Sequence, residues 1–99
     1  MFGPFPAGHL SANGEVDFKH LRVGLAYRVA RPFTDHDGVL HPAGECWTYL
    51  GHNFVPYHDG LSLFVSLDGA QEWQIRLSWL PEDQGHIIDA LADHLVPAA

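Results

Sequence analysis

Two alternating runs on either side of Asp68-Gly69 limit this chain more than any other feature. Leu61, Leu63, Val65 and Leu67 share one parity, with Ser62, Phe64 and Ser66 on the other. Beyond the Asp-Gly step, Trp73, Ile75, Leu77 and Trp79 alternate with Glu72, Gln74, Arg76 and Ser78. A period of two sends successive side chains to opposite faces of a strand. Asp-Gly between two such runs marks a tight β-hairpin. The alternation also fixes the register, because a slip of one residue would turn the whole apolar row to solvent.

The rest of the chain is read around that hairpin. Residues 1 to 16 contain Gly, Pro, Ser and Asn13-Gly14 without periodicity and read as an extended N-terminal arm pinned by Phe2 and Phe5. Asp17 suits the cap of a short helical turn over 17–21. Leu25, Tyr27 and Val29 alternate as a half-buried strand that ends before Pro32. A long polar loop over 35–44 follows, then an aromatic-rich strand from Glu45 to Val55, interrupted near Gly51. Pro81 fits the first turn of a helix, and Ile87, Ile88, Leu91 and Leu95 form one apolar stripe. These positions predict an amphipathic helix over 81–95. The expected architecture is mainly β (α+β): an arm over 1–16, then one domain over 17–99. That domain is a twisted meander of four or five strands, curled into a small, partly open barrel, with the C-terminal helix covering it.

Composition narrows the functional classes. Ninety-nine residues make one small domain, and 46% hydrophobic content suffices for its core. The formal charge is −7, with Lys19, Arg22, Arg28, Arg31 and Arg76 as the whole basic supply. Nucleic-acid binding needs concentrated cations to displace counterions, so it is disfavoured, as is an anionic membrane surface. A lone cysteine, Cys46, rules out an internal disulfide. The N-terminus lacks a basic start and is broken by Pro4 and Pro6, and no stretch has the apolar length of a membrane span. A cytoplasmic protein is expected. Eight histidines would add eight positive charges to that −7 if all were protonated, so the surface field changes through mildly acidic pH.

Several residues then group into a recognisable order. Leu21, Gly24, Tyr27 and Val29 are followed by Phe33-x-Asp35-x-Asp37-Gly38, then by Pro42-x-Gly44-Glu45-x-Trp47-x-Tyr49. Next come Asn53-Phe54-x-Pro56-Tyr57-x-Asp59-Gly60-Leu61-x-Leu63. The pattern is similar to a family of small bacterial domains of unknown function with a Pro-Tyr-x-Asp-Gly-Leu centre. The layout also resembles SH3-like barrels in architecture, which implies a fold and no particular function.

Four constellations offer chemistry. Asp35, His36, Asp37 and His41 bring carboxylate and imidazole ligands into one loop, with Glu45 just after, a set suited to zinc, manganese or iron. The competing account is a solvated turn held by Asx hydrogen bonds. His58 and Asp59, with His52, make a looser group at the Asp59-Gly60 turn, over which Tyr57 packs. Cys46 lies mid-strand and reads as a small buried hydrophobe more readily than as a nucleophile. Trp47 and Tyr49 face opposite to Cys46, Thr48 and Leu50, and Phe64 occupies the polar face of its strand. These rings either meet on the surface or supply the apolar ground on which the C-terminal helix sits, the favoured account. With Tyr57, His58 and Asp59 they form the candidate contact surface. The expected function is therefore a non-catalytic protein-interaction or regulatory module, with another protein as partner and no cofactor. A homodimer would also suit an edge strand with surface aromatics. The alternative is a metal-binding protein or metal-dependent enzyme that holds a divalent ion such as zinc on the Asp/His loop.

Overall fold

The hairpin forms where the alternation places it. In the computed structural model, which describes residues 1–57 and 59–98, β6 (Gly60–Ser66) and β7 (Gln71–Ser78) pair antiparallel, from Gly60 opposite Ser78 to Val65 opposite Trp73. The connection is longer than a two-residue turn. Asp68 Oδ1 accepts from the backbone N–H of Ala70 and Gln71, both at 2.8 Å, and Leu67 leaves the strand to stand exposed.

Around this pair lie β1 (Phe2–Pro6), β2 (Ala26–Val29), β5 (Cys46–Val55) and β8 (Leu95–Pro97). The six strands form one antiparallel sheet in the order β1-β7-β6-β5-β2-β8. The sheet is open, so the expected partly open barrel of four or five strands is corrected to a six-stranded sheet with two edges. Both additions come from segments without alternation. The arm supplies β1, and the end of the expected helix supplies β8. Prolines mark both edges (Pro4 and Pro6 in β1, Pro97 in β8), and they limit further strand addition.

A bulge between Tyr49 and Gly51 reverses the parity of β5. Trp47 and Tyr49 before it, and His52 and Phe54 after it, therefore stand on the same face as Leu61, Leu63 and Val65. That face packs on Phe18, Leu21, Ile87, Ile88 and Leu91 to make the core. The opposite face is covered too. The arm passes over it through a 3-10 turn at Ser11–Asn13, tied down by Glu72. The Glu72 carboxylate accepts from the N–H of Gly8 at 2.7 Å, Leu10 at 2.8 Å and Ser11 at 3.1 Å, and from Ser11 Oγ at 2.8 Å. Phe64 is thus fully buried on the polar side of its strand, and all of β6 is buried.

Two predicted helical segments differ. Residues 17–21 make a tight reversal with Phe18 bridged to Leu21, and Asp17 accepts from Val23 N instead of capping a helix. The helix over 81–95 is replaced by a turn, then α1 (Gly85–Asp89), a break at Ala90, α2 (Leu91–His94) and β8. Gly85 lies so close to the Trp79 carbonyl that a Cβ would come within 2.5 Å of its oxygen. Leu95 is drawn into pairing with Val29, which ends the helix early. The apolar stripe itself is as expected, with Ile87, Ile88, Leu91 and Leu95 buried.

Candidate functional site

The polar loop folds inward. Phe33–Thr34 (β3) and Leu40–His41 (β4) pair as a small separate hairpin, which carries Asp35 and His41 into a buried position. Asp35 Oδ1 accepts from the backbone N–H of Asp37 at 2.9 Å and Val39 at 3.0 Å, an Asx-type turn. His41 Nε2 donates to Asp35 Oδ2 at 2.8 Å, and Nδ1 donates to Glu45 Oε2 at 2.7 Å. Glu45 Oε2 also accepts from Trp47 Nε1 at 3.2 Å, and the Phe33 ring stacks on the imidazole. Both partners are carboxylate oxygens, which accept when ionised, so an imidazole within bonding distance of the two donates from both nitrogens and carries both protons. Burial works against that charge, but the bonds to Glu45 and Asp35 outweigh it and hold the His41 pKa above its usual 6.5.

The four proposed metal ligands therefore do not converge. Asp35 and His41 bind one another. Asp37 takes Arg76 in a two-point ion pair, with Arg76 Nε 3.1 Å from Oδ2. His36 lines a hollow on the sheet. A protonated imidazole has no lone pair to give a metal. Among the described residues, no group of three or more His, Cys, Asp or Glu side chains is placed to hold a metal ion.

The expected aromatic contact surface divides in two. Trp47, Tyr49 and Phe64 are buried, so this part of the expectation is corrected. The bulge turns Trp47 and Tyr49 to the core, and the arm closes over Phe64. Tyr49 is further fixed by hydrogen bonds with the Val16 carbonyl and His52 Nδ1, and burial raises its pKa strongly. Cys46, expected inside, stands exposed at the start of β5, with Sγ donating to the Gly44 carbonyl at 3.3 Å. Tyr57 and Asp59 remain on the surface, and His58 lies outside the described residues.

Exposed apolar residues are scattered over the chain, Val16, Leu25 and Leu40 among them, but three stand close together at the β5–β6 turn. Phe54 is 52% exposed, Val55 40% and Tyr57 76%. They border two hollows that share Val55 and Gly60. One, of about 430 Å³, lies over the covered-arm face beside His36, Tyr57, Ser62, Gln74 and Arg76. Its lining carries the bond from Gln74 Nε2 to Ser62 Oγ at 2.9 Å, and Arg76 in that lining makes a cation–π contact with the Phe2 ring. The other, of about 490 Å³, lies on the core-side face among Phe54, Asp59 and Trp79. Gly60 is needed between them, since a Cβ there would fall 2.1 Å from Val55 Cγ2. The turn is held by Trp79 N donating to the Asp59 carbonyl at 3.0 Å and Gly60 N to the Tyr57 carbonyl at 3.0 Å. Phe54 and Trp79 escaped the sequence reading. The available signal was Phe54-Val55: neighbours on a strand face opposite ways, so an apolar pair at a strand end exposes at least one ring or methyl group.

No protein-family model matches the chain, and no curated protein matches it. A solved structure does. It is an integron cassette protein from the mobile metagenome of Vibrio cholerae, 34% identical, with a TM-score of 0.82 over 88% of this chain and 96% of that one. The chain belongs to the family of this cassette protein. That places it in a bacterial family whose described member is named by its mobile source and by no activity. Among the described residues, no helix is long and apolar enough to cross a membrane.

Proposed function

We propose that this member of the cassette-protein family is a non-catalytic interaction module that receives a partner protein across the β5–β6 turn. The observation that carries the reading is the run Phe54, Val55 and Tyr57, exposed together beside two hollows, while Trp47, Tyr49 and Phe64 are sealed inside. Exposed apolar residues gathered at one end of a sheet mark contact surfaces. The polar groups that would carry catalysis or metal binding are spent on structure: His41 on two carboxylates, Glu72 on the arm, Asp37 on Arg76. With prolines at both sheet edges, contact through side chains fits better than strand addition.

The test is selection of a displayed random-peptide library on the full chain. Selected peptides are expected to compete with one another and to lose binding to Phe54→Ala and Tyr57→Ala. Selection of no binders, or of binders that ignore both substitutions, overturns the reading.

A further inference from the structure

The hollow on the core-side face is not a plain apolar cleft. Its walls are the rings of Phe54 and Trp79, inclined by only 15° with centroids 6.4 Å apart, and Asp59 lines the same space. The rings are braced from behind. Phe18 meets both edge-on, and His52 meets Phe54 edge-on. Trp79 Nε1 donates to Asp89 Oδ1 at 2.9 Å, which fixes the indole and sets a carboxylate at its edge. The Asp59 side chain has no hydrogen bond or ion pair among the described residues, although its backbone is locked by Trp79 N.

Three observations select the occupant. Trp79 already attracts a cation within the chain, with Lys19 Nζ 5.5 Å from its ring centroid. An apolar occupant would cover the Asp59 carboxylate without compensating it, which is unfavourable. The chain as a whole carries −7 and so draws basic partners toward it. We propose that the Phe54–Trp79–Asp59 hollow is a seat for one cationic side chain, arginine above all, presented by a basic segment of a partner protein. The near-parallel rings suit a flat guanidinium, which stacks where an ammonium can only sit as a point charge. The proposal rests on the interaction-module reading and names the partner chemistry of that surface.

The experiment is an NMR titration of the full chain with two five-residue probes, Ac-Gly-Arg-Gly-Arg-Gly-NH2 and its citrulline counterpart. Citrulline keeps the shape of arginine and removes the charge. The arginine probe is expected to move the Trp79 indole N–H and the Phe54 and Asp59 amides, binding about three- to tenfold more tightly than the citrulline probe. Asp59→Asn should weaken the arginine probe about two- to fivefold and leave the citrulline probe unchanged. This variant keeps the turn, because Asn accepts the left-handed backbone (φ 46°) that Asp59 adopts. Phe54→Leu should weaken the arginine probe by a similar factor without unfolding an exposed position. Equal binding of both probes at these residues overturns the cationic seat while the interaction module stands. Shifts confined to other surfaces, or none, overturn the seat, and the library selection above then decides the module separately. Shifts of the turn on raising protein concentration without probe would identify a second copy as occupant and also overturn the proposal.

Discussion

The loop over 35–45 and the turn over 54–60 have opposite fates. The loop holds the charged residues that look reactive in the sequence, and the structure buries Asp35 and His41 and pairs them with each other and with Glu45, while Asp37 is taken by Arg76. The turn holds Phe54 and Val55, apolar residues of a strand end, beside Tyr57, and the structure leaves all three in solvent. Residue type alone would assign the two regions the wrong way round. What separates them is whether each polar atom has a partner. A buried imidazolium between two carboxylates is stable because nothing is left over, whereas an exposed ring beside an uncompensated carboxylate is still open to a partner.

The sharpest way to break this contrast is to cut the clamp. His41→Ala leaves the buried Asp35 carboxylate and the part-buried Glu45 carboxylate without their shared cation, with the Met1 ammonium 3.6 Å from Asp35 Oδ2 as the remaining positive charge beside them. Removing one partner of a buried pair costs about 3–5 kcal/mol. Urea unfolding should show that loss. A change below about 1 kcal/mol would mean that the loop is solvated and the contrast is false.

Glu72 sets a second, smaller loss. Its carboxylate gathers four donors from the arm, and Glu72→Ala should cost about 1.5–3 kcal/mol, the worth of hydrogen bonds to a charged group. Amide exchange should then accelerate over residues 8–14 more than in β6. Uniform acceleration would show that the arm and sheet unfold together.

The clamp and the arm also respond to pH in opposite senses. The His41 pKa is raised in the folded state, so its contribution is fully present below the unfolded value near 6.5 and is lost as pH rises through the folded value. For Glu72, burial pushes the pKa up, but the bonds from Leu10, Ser11 and Gly8 pull it below its usual 4.5. Its contribution is present above the unfolded value and is lost as pH falls through the folded one. Asp37, lowered from 3.8 chiefly by its bond to Arg76, behaves in the same way. Stability should therefore peak between roughly pH 4.5 and 6.5 and decline on the alkaline side. In His41→Ala the alkaline decline should shrink. An unchanged decline would assign it to another group.

The sequence made the local pairing legible and left the long-range covering illegible. Alternation placed β6, β7 and β2, because those strands have a buried face, and aromatic content placed the bulged β5. Neither signal could find β1 or β8. Gly3, Pro4 and Pro6 erase any pattern in the first, and the second continues a helical stripe until Leu95 pairs with Val29. The same blindness explains the site. Whether Phe64 is surface or core depends on an arm some fifty residues away, fixed by Glu72, which reads as an ordinary outward glutamate. Trp47 and Tyr49 lie on the core face because the bulge at Leu50 adds one residue after them. The Asp35, His41 and Glu45 spacing showed that the three are near in sequence. It could not show that each is the others' partner.

The smallest expected effect belongs to the turn, and its smallness is the point. Tyr57 is 76% exposed, and its ring buries little in the folded chain. Tyr57→Ala should change unfolding free energy by no more than about 0.5 kcal/mol, the usual range for surface positions away from special contacts. The same substitution should weaken library-selected peptides, because the ring borders the hollow beside Ser62 and Arg76. Stability unchanged and binding lost is the signature of a contact residue, and His41 should show the reverse, with stability lost before any binding is measured. If Tyr57→Ala instead destabilised the chain by more than about 1.5 kcal/mol, the ring would be packing on the turn as a structural lid. The distinction between a sealed polar loop and an open apolar turn would then dissolve.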